Sequence, residues 1–294
     1  MKTIGVIGLG SIGMRHAKNL LALGHRVVGY DPDSARMKAF LLPDNGDVGW
    51  FLPGRDQSIV DGMVIACPIK DHLSQWANID KHVFIEKPIA TTEDFDVARD
   101  ELEAREGLVT MVGNNLRFHS CVKKAKEWLG AGLIGKPMWA NFVVAQFTDK
   151  PVYLRDGVLL NWLSHEVDLA LYLLGPAKLQ ASYVREDIAD LILDQSDAIT
   201  TIHGDYLSKP QRRGFVVQGT DGYIHADLEH RTIHLTDTGD SLVEHHKFDD
   251  SWDINYMDEM TAFLTKIDGQ EALGASGEEG LAVLEILLQA REKK

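Results

Sequence analysis

Three stretches of this sequence combine residue types and spacings suited to chemistry. The first is Gly8-Leu9-Gly10-Ser11-Ile12-Gly13, a G-x-G-x-x-G turn. In such a turn the first glycine permits a tight bend, the second lets a pyrophosphate approach the backbone, and the third lets helix and strand pack closely. A helix opening at Ser11 and Ile12 points unpaired N–H groups and the positive end of its dipole at the phosphates. An acid about twenty residues further on completes the pattern, and Asp31 supplies it. A carboxylate there accepts hydrogen bonds from the adenosine ribose and repels a 2′-phosphate. NAD is therefore favoured over NADP, with Arg36 the one neighbour that weighs the other way. Glycines also serve ordinary turns, and Asp31-Pro32 can simply start a helix; the strand–turn–helix setting decides for the cofactor.

The second stretch is Val158–Leu174, apolar nearly all round except for Asn161, Ser164, His165, Asp168 and Tyr172. Spacings of three and four put these on one face of a helix. If the helix is buried, that stripe must meet a partner or a wet cavity; the bland alternative is bulk water. His165 is the candidate general acid or base, because imidazole titrates near neutral pH. The third is Lys87, which follows the strand-like run Val83-Phe84-Ile85-Glu86 and precedes Pro88. Carboxyl ends of parallel strands are where open α/β sheets hold ligands, although a lone Lys-Pro is more often a turn.

The elements that must position these residues change character along the chain. Strands at Thr3–Gly8, Arg26–Tyr30, Gly62–Ala66 and His82–Ile85 alternate with helices at Ser11–Leu23, Asp33–Phe40, Asp71–Ala77 and Thr92–Glu106, and Leu108–Val112 is counted as the sixth strand. Gly24 stops the first helix. This α/β pattern predicts a doubly wound parallel sheet, a Rossmann domain over residues 1–115. Beyond it come a helix at Ser120–Leu129, a strand at Met138–Phe147 and the Val158–Leu174 helix. Strand-like runs then follow at Leu179–Glu186, Ala198–Gly204, Arg213–Gly219, Tyr223–Asp227, Thr232–Thr236 and Leu242–Phe248, with helices at Tyr256–Ile267 and Glu278–Arg291. Successive strands without intervening helices imply an α+β domain over 116–294 with a large, mostly antiparallel open sheet. Phe215, Val217, Ile224 and Ile233 alternate along it and suit either a core or an interface.

Composition narrows the partners. The 294 residues are long enough for two cores, and a formal net charge of −14 repels phosphate backbones and anionic lipid, so neither nucleic acid nor a membrane is expected. The chain starts directly in a strand pattern, which leaves no signal peptide, and two distant cysteines, Cys67 and Cys121, fit a reducing compartment rather than a disulfide framework or a metal cluster. No metal is expected, and the cytoplasm is the default location.

With Glu86-Lys87-Pro88 in view, the chain resembles the glucose–fructose oxidoreductase, inositol dehydrogenase and rhizopine (Gfo/Idh/MocA) family, which carries a Glu-Lys-Pro signature at this strand end. Cys67-Pro68 with His72 resembles the family's loop along the cofactor, Gly113-Asn114-Asn115-Leu116-Arg117-Phe118 its domain junction, Gly132–Pro137 the segment feeding its large sheet, and Gly157–Asp168 its active-site helix. The resemblance implies that Lys87 hydrogen-bonds the reacting oxygen beside the nicotinamide, with His165 as its proton-transfer partner, and that the pyridine ring lies in a crevice where both groups flank one carbon. Expected cofactor contacts are Gly8, Gly10, Ser11, Ile12, Gly13, Asp31, Cys67, Pro68, His72, Glu86, Lys87 and Asn114. Expected substrate contacts are Lys87, Arg117, Asn161 and His165, with Tyr153, Arg155 and Trp162 on weaker grounds. Arg117 suits a substrate anion, or else a structural ion pair. The family commonly has an aspartate four residues before its histidine; this chain has Asn161, which can orient a hydroxyl but cannot take its proton. Glu166 and Asp168 stand evenly between structural and functional roles.

The function this implies is NAD(H)-dependent hydride transfer to or from a hydroxyl or keto carbon of a sugar, cyclitol or nucleotide sugar, by a homo-oligomer, a dimer or tetramer. Two alternatives stand beside it: a non-catalytic dinucleotide-binding sensor, which Asn161 favours, and a reductase of a non-sugar substrate.

Overall fold

A computed structural model describes the chain apart from residues 43–45, 52–56, 150–156, 196 and 293–294. Tyr153 and Arg155 lie outside the described residues. Two compact units emerge, Met1–Phe118 with Trp252–Leu284, and His119–Ser251 with Glu285–Lys294.

The first unit runs β1 (Thr3–Ile7), α1 (Ser11–Ala22), β2 (Arg26–Tyr30), α2 (Ser34–Phe40), β3 (Val48–Trp50), β4 (Gly62–Ile65), α3 (His72–Trp76), β5 (His82–Glu86), α4 (Phe95–Glu103) and β6 (Thr110–Gly113). The second runs α5 (Ser120–Gly130), β7 (Pro137–Ala145), a π-helical turn (Leu159–Leu163) continuing into α6 (Ser164–Leu174), and then β8 (Lys178–Val184), β9 (Ile188–Gln195), β10 (Ala198–Asp205), β11 (Arg212–Gly219), β12 (Gly222–Asp227), β13 (Thr232–Asp237) and β14 (Leu242–Lys247). The chain closes with α7 (Trp252–Ile267), β15 (Ala275–Ser276) and α8 (Gly277–Glu292).

The sheet of the first unit has the order β15-β6-β5-β4-β1-β2-β3, parallel throughout except for β15. This is the doubly wound order, and it bears out the Rossmann expectation. Its strands are apolar on both faces, so both faces need cover. Ile4, Val6, Val64 and Phe84 pack with Ala17 and Leu20 of α1, Phe40 of α2 and Met260, Phe263 and Leu264 of α7. Ile7, Val28, Met63, Ile65 and Ile85 pack with Trp76, Ala98, Leu281 and Leu284. Here the structure differs from the sequence boundary: residues 252–284 belong with the first unit, because the parallel sheet recruits the chain's last helices as cover.

The sheet of the second unit has the order β14-β13-β12-β11-β7-β10-β9-β8 and is antiparallel but for the β7–β10 pair. Phe215, Val217, Ile224 and Ile233 are all buried in it, which makes them core positions. Strand β9 was not expected from the sequence. Its period is regular, with Ala189, Leu191 and Leu193 inward and Asp190, Ile192 and Asp194 outward, but two aspartates in an eight-residue segment run against strand propensity.

Candidate active site

The glycine turn is built by backbone constraint. Gly8 has φ +90°, a conformation other residues avoid, and its N–H donates to Tyr30 O at 2.8 Å, tying the turn to β2. A methyl group at Gly13 would lie 1.8 Å from Gly8 O, so only glycine lets α1 start this close to β1. A methyl group at Gly10 would meet nothing nearer than Arg36 Nη1 at 3.8 Å, so the space in front of the turn is open. Gly10 caps α1 with no side-chain hydrogen bond, leaving the first-turn amides of Ser11 and Ile12 to an incoming anion. These residues fit a dinucleotide pyrophosphate. Helix α1 ends as expected, with Gly24 at φ +82° and His25 N–H donating to Leu20 O.

Asp31 ends β2 and is buried. Its Oδ2 accepts from Leu9 N–H at 2.8 Å and from Arg36 Nη1 at 3.2 Å, and its Oδ1 accepts from Asp33 N–H at 2.8 Å. One carboxylate thus braces the glycine turn and the start of α2. Arg36 neutralises part of its charge.

At the carboxyl end of β5, beside β4 in the parallel sheet, stand Glu86 and half-buried Lys87. Glu86 Oε1 lies 2.7 Å from His16 Nε2, and Oε2 accepts the Lys87 N–H at 3.3 Å. His16 is fully buried on α1 against Phe84 and Tyr256, with ring centroids 5.1 and 5.9 Å away. Burial and the Glu86 charge push the Tyr256 hydroxyl up to about 12. His16 and Tyr256 were not expected at the site: the third residue after the last glycine of such a turn carries no rule of its own, although an imidazole on the apolar face of α1 is a signal in the sequence.

His72 is buried between two carbonyls, Nδ1 3.0 Å from Pro88 O and Nε2 2.9 Å from Cys67 O, and burial pulls its pKa below the ordinary histidine range. It clamps the Cys67-Pro68 loop to the Lys87-Pro88 turn. Burial, then Asp71, raise the Cys67 thiol to about 12, so it is no nucleophile near neutrality. Asn114 is buried at the end of β6. Arg117 is buried, and its Nη1 donates to Glu279 Oε1 of α8 at 2.8 Å, the kind of structural ion pair that was one of its two expected roles.

In the second unit the polar stripe divides. Ser164, Glu166 and Asp168 are buried, while Asn161, His165 and Tyr172 are half-buried. Glu166 Oε1 accepts from Arg213 Nε of β11 at 2.8 Å, an ion pair between α6 and the sheet. Asn161 lies in the π turn, so α-helical spacing does not carry across it to His165. Asn161 Nδ2 donates to Tyr206 Oη at 3.1 Å, and Trp162 meets the same ring edge-on at 4.5 Å. The π turn sits tight on β10: a methyl group at Gly204 would lie 1.8 Å from Leu163 Cδ1. Tyr172 packs under Lys126, whose Nζ is 4.7 Å from the ring centroid. Tyr206 and Arg213, both on or beside the sheet, were not foreseen.

Residues 2–114 match the oxidoreductase family with an NAD-binding Rossmann fold, and residues 122–225 match the GFO/IDH/MocA C-terminal domain. The chain belongs to the GFO/IDH/MocA oxidoreductase family. The first match assigns the glycine turn to an NAD-binding domain. Among relatives, the myo-inositol 2-dehydrogenase of Thermotoga maritima is 26% identical over 96% of this chain and 92% of its own length. Among solved structures, levoglucosan dehydrogenase in complex with NADH and levoglucosan superposes with a TM-score of 0.86 at 16% identity, covering 100% of this chain and 98% of the other. The UDP-N-acetylglucosamine 3-dehydrogenase of Acidithiobacillus ferrooxidans gives 0.82 at 22% identity, covering 99% and 97%. These two structural likenesses speak for the fold. Among the described residues no helix is long and apolar enough to cross a membrane, and no cluster of histidine, cysteine or carboxylate side chains is arranged to hold a metal ion.

Proposed function

We propose that this oxidoreductase is an NAD(H)-dependent dehydrogenase or reductase of a hydroxyl or keto carbon in a sugar, cyclitol or nucleotide sugar. The observation that carries it is the first sheet. The glycine turn after β1 and Lys87 after β5 open at the same, carboxyl edge of one parallel sheet, where such sheets take their ligands. The names of the relatives support the substrate class: inositol, levoglucosan and a UDP-amino sugar are all polyhydroxylated rings.

NAD, when bound, supplies the hydride acceptor, and NADH the donor. The chain's own part is charge and proton handling. The Lys87 ammonium hydrogen-bonds the reacting oxygen and stabilises alkoxide character in either direction. His165 takes the hydroxyl proton on oxidation and returns it on reduction. Asn161, already oriented by Tyr206, offers its amide oxygen to a substrate hydroxyl. The open face of the second sheet, with Trp139 and Ile199 in register on β7 and β10, supports a homo-oligomer, which light scattering tests.

A panel of myo-inositol, scyllo-inositol, levoglucosan and UDP-N-acetylglucosamine with NAD+, followed at 340 nm, finds the class of substrate. On the substrate turned over, Lys87→Met lowers kcat about 100-fold or more while NADH fluorescence titration stays close to wild type. Turnover by Lys87→Met at the wild-type rate would reject the assignment.

A further inference from the structure

The end of β10 carries polar groups on both faces of the second sheet, and the proposed mechanism uses only one of them. Successive residues of a strand point to opposite faces. His203 shares the open face with outward Asp190, its register partner on β9, and Asp205 follows on the same face. Gly204 and buried Tyr206 face the π turn instead. The Asp205 carboxylate collects four donors. Its Oδ1 accepts the N–H groups of Leu207 at 2.8 Å and Ser208 at 2.6 Å. Its Oδ2 accepts the Ser208 hydroxyl at 2.8 Å and His203 Nε2–H at 2.9 Å. His203 Nδ1 in turn lies 2.8 Å from Asp190 Oδ1. The turn that Asp205 holds contains Tyr206, whose hydroxyl accepts from Asn161 Nδ2 at 3.1 Å and whose ring meets Trp162 edge-on.

Ionised carboxylates only accept hydrogen bonds, so an imidazole between two of them is fully bonded only as the doubly protonated cation. A neutral ring would turn a lone pair on either Asp190 or Asp205. Electrostatics agree with the geometry. Burial works against a cation at His203, but hydrogen bonds to Asp190 and Asp205 and their charges outweigh it and raise the histidine above 6.5. Burial likewise opposes the charge on Asp205, and the His203, Leu207 and Ser208 donors outweigh it and lower that carboxyl. On the other side of the ring, β7 presents Val143 and β11 follows with Gly214; Arg212, in register with Ala145, is the cation β11 adds to this face. Just before β9 stands Asp187, 3.7 Å from Arg185.

We propose that protonated His203 is a positioning residue for the substrate side of this sheet: by bridging Asp190 and Asp205 it fixes the turn that carries Tyr206, and so holds the Asn161 amide in one orientation. This inference rests on the reading of Asn161 as a substrate contact, but its first test needs no substrate. Protein labelled with 15N and with 13C at histidine Cε1, saturated with NADH, is titrated by NMR between about pH 5.5 and 8.5. Loss of signal in His203→Gln assigns the ring, and loss in Asn161→Ala assigns the side-chain amide. His203 is expected to titrate above 6.5, and the Asn161 amide to shift with a component at the same midpoint. That component disappears in His203→Gln. Asp190→Asn removes one carboxylate and is expected to lower both midpoints together. An Asn161 amide that does not follow the His203 midpoint, or a His203 that titrates below 6.5, overturns the proposal.

Kinetics then read the consequence. On the substrate turned over, KM is expected to rise about fivefold as His203 loses its proton and also in Tyr206→Phe, with kcat within about twofold of wild type. In the double variant, His203→Gln adds nothing to Tyr206→Phe; additive losses would overturn the coupling. Shared midpoints with an unchanged KM would instead refute Asn161 as a substrate contact and leave the link from His203 to Asn161 standing.

Discussion

Gly13 and His165 both sit in the first turn of a helix, yet the two helices are built for different tasks. Helix α1 begins free: Gly10 caps it without a side chain, and its first amides face open space. Helix α6 has no free start, because it continues out of the π turn at Leu159–Leu163. The start of α1 in the first unit thus offers backbone amides, while the start of α6 in the second unit offers only side chains such as His165. The first kind of site tolerates almost no change of residue type and little of geometry. The second depends on partners far away in sequence.

The largest effects should come from the glycine turn, where two substitutions separate fold from cofactor. Gly13→Ala places a methyl group against Gly8 O and is expected to destabilise the protein by roughly 3 kcal/mol or more. Gly10→Ala meets no such contact, so its thermal midpoint stays near wild type while its NADH Kd rises at least about tenfold, since the methyl group occupies the space a pyrophosphate needs. Equal thermal midpoints for the two variants in a melting series would break the distinction between a packing glycine and a ligand glycine.

Next in size is the buried pair Glu166–Arg213, which supports α6 from the sheet. Arg213→Met strands a carboxylate that is 1% exposed, at a cost of about 3–5 kcal/mol. The double variant Glu166→Leu, Arg213→Met removes both charges and should recover most of that loss. Urea unfolding of the single and double variants measures it; a single variant as stable as wild type would mean the pair does not hold α6.

The same contrast explains what the sequence alone disclosed. Gly8, Gly10, Gly13 and Asp31 were legible because positive φ, close backbone approach and a bracing carboxylate restrict residue type locally. The parallel sheet followed from its doubly apolar strands. Partnerships were not legible: Arg117 finds Glu279 at a separation of 162 residues, His16 finds Glu86 at 70, and Glu166 finds Arg213 at 47. No periodicity encodes such pairs. Helix phase was lost at Asn161 because a π turn interrupts the 3.6-residue repeat. Residues 252–284 were assigned by sequence order, whereas burial of Met260, Phe263 and Leu284 against the first sheet decides where they go.

The smallest of these effects sharpens the comparison through pH. His119 opens α5 in the second unit: its Nδ1 accepts from Cys121 N–H at 3.2 Å, and its Nε2 lies 3.2 Å from Leu228 O. That pairing requires the neutral ring with the proton on Nε2. Burial, aided by the positive charge of Arg231, lowers its pKa from 6.5 to about 4. A histidine depressed on folding contributes stability that is complete above about pH 6.5 and is lost as pH falls towards 4, because the unfolded chain takes up the proton first. The span corresponds to roughly 3 kcal/mol at most. His119→Asn keeps a capping acceptor and removes the titration, so its urea midpoint should fall less than that of wild type between pH 7 and pH 4.5. If both proteins lose stability in parallel over that range, the cap at α5 does not require a neutral histidine, and the second unit owes less to its buried side chains than the contrast with the glycine turn implies.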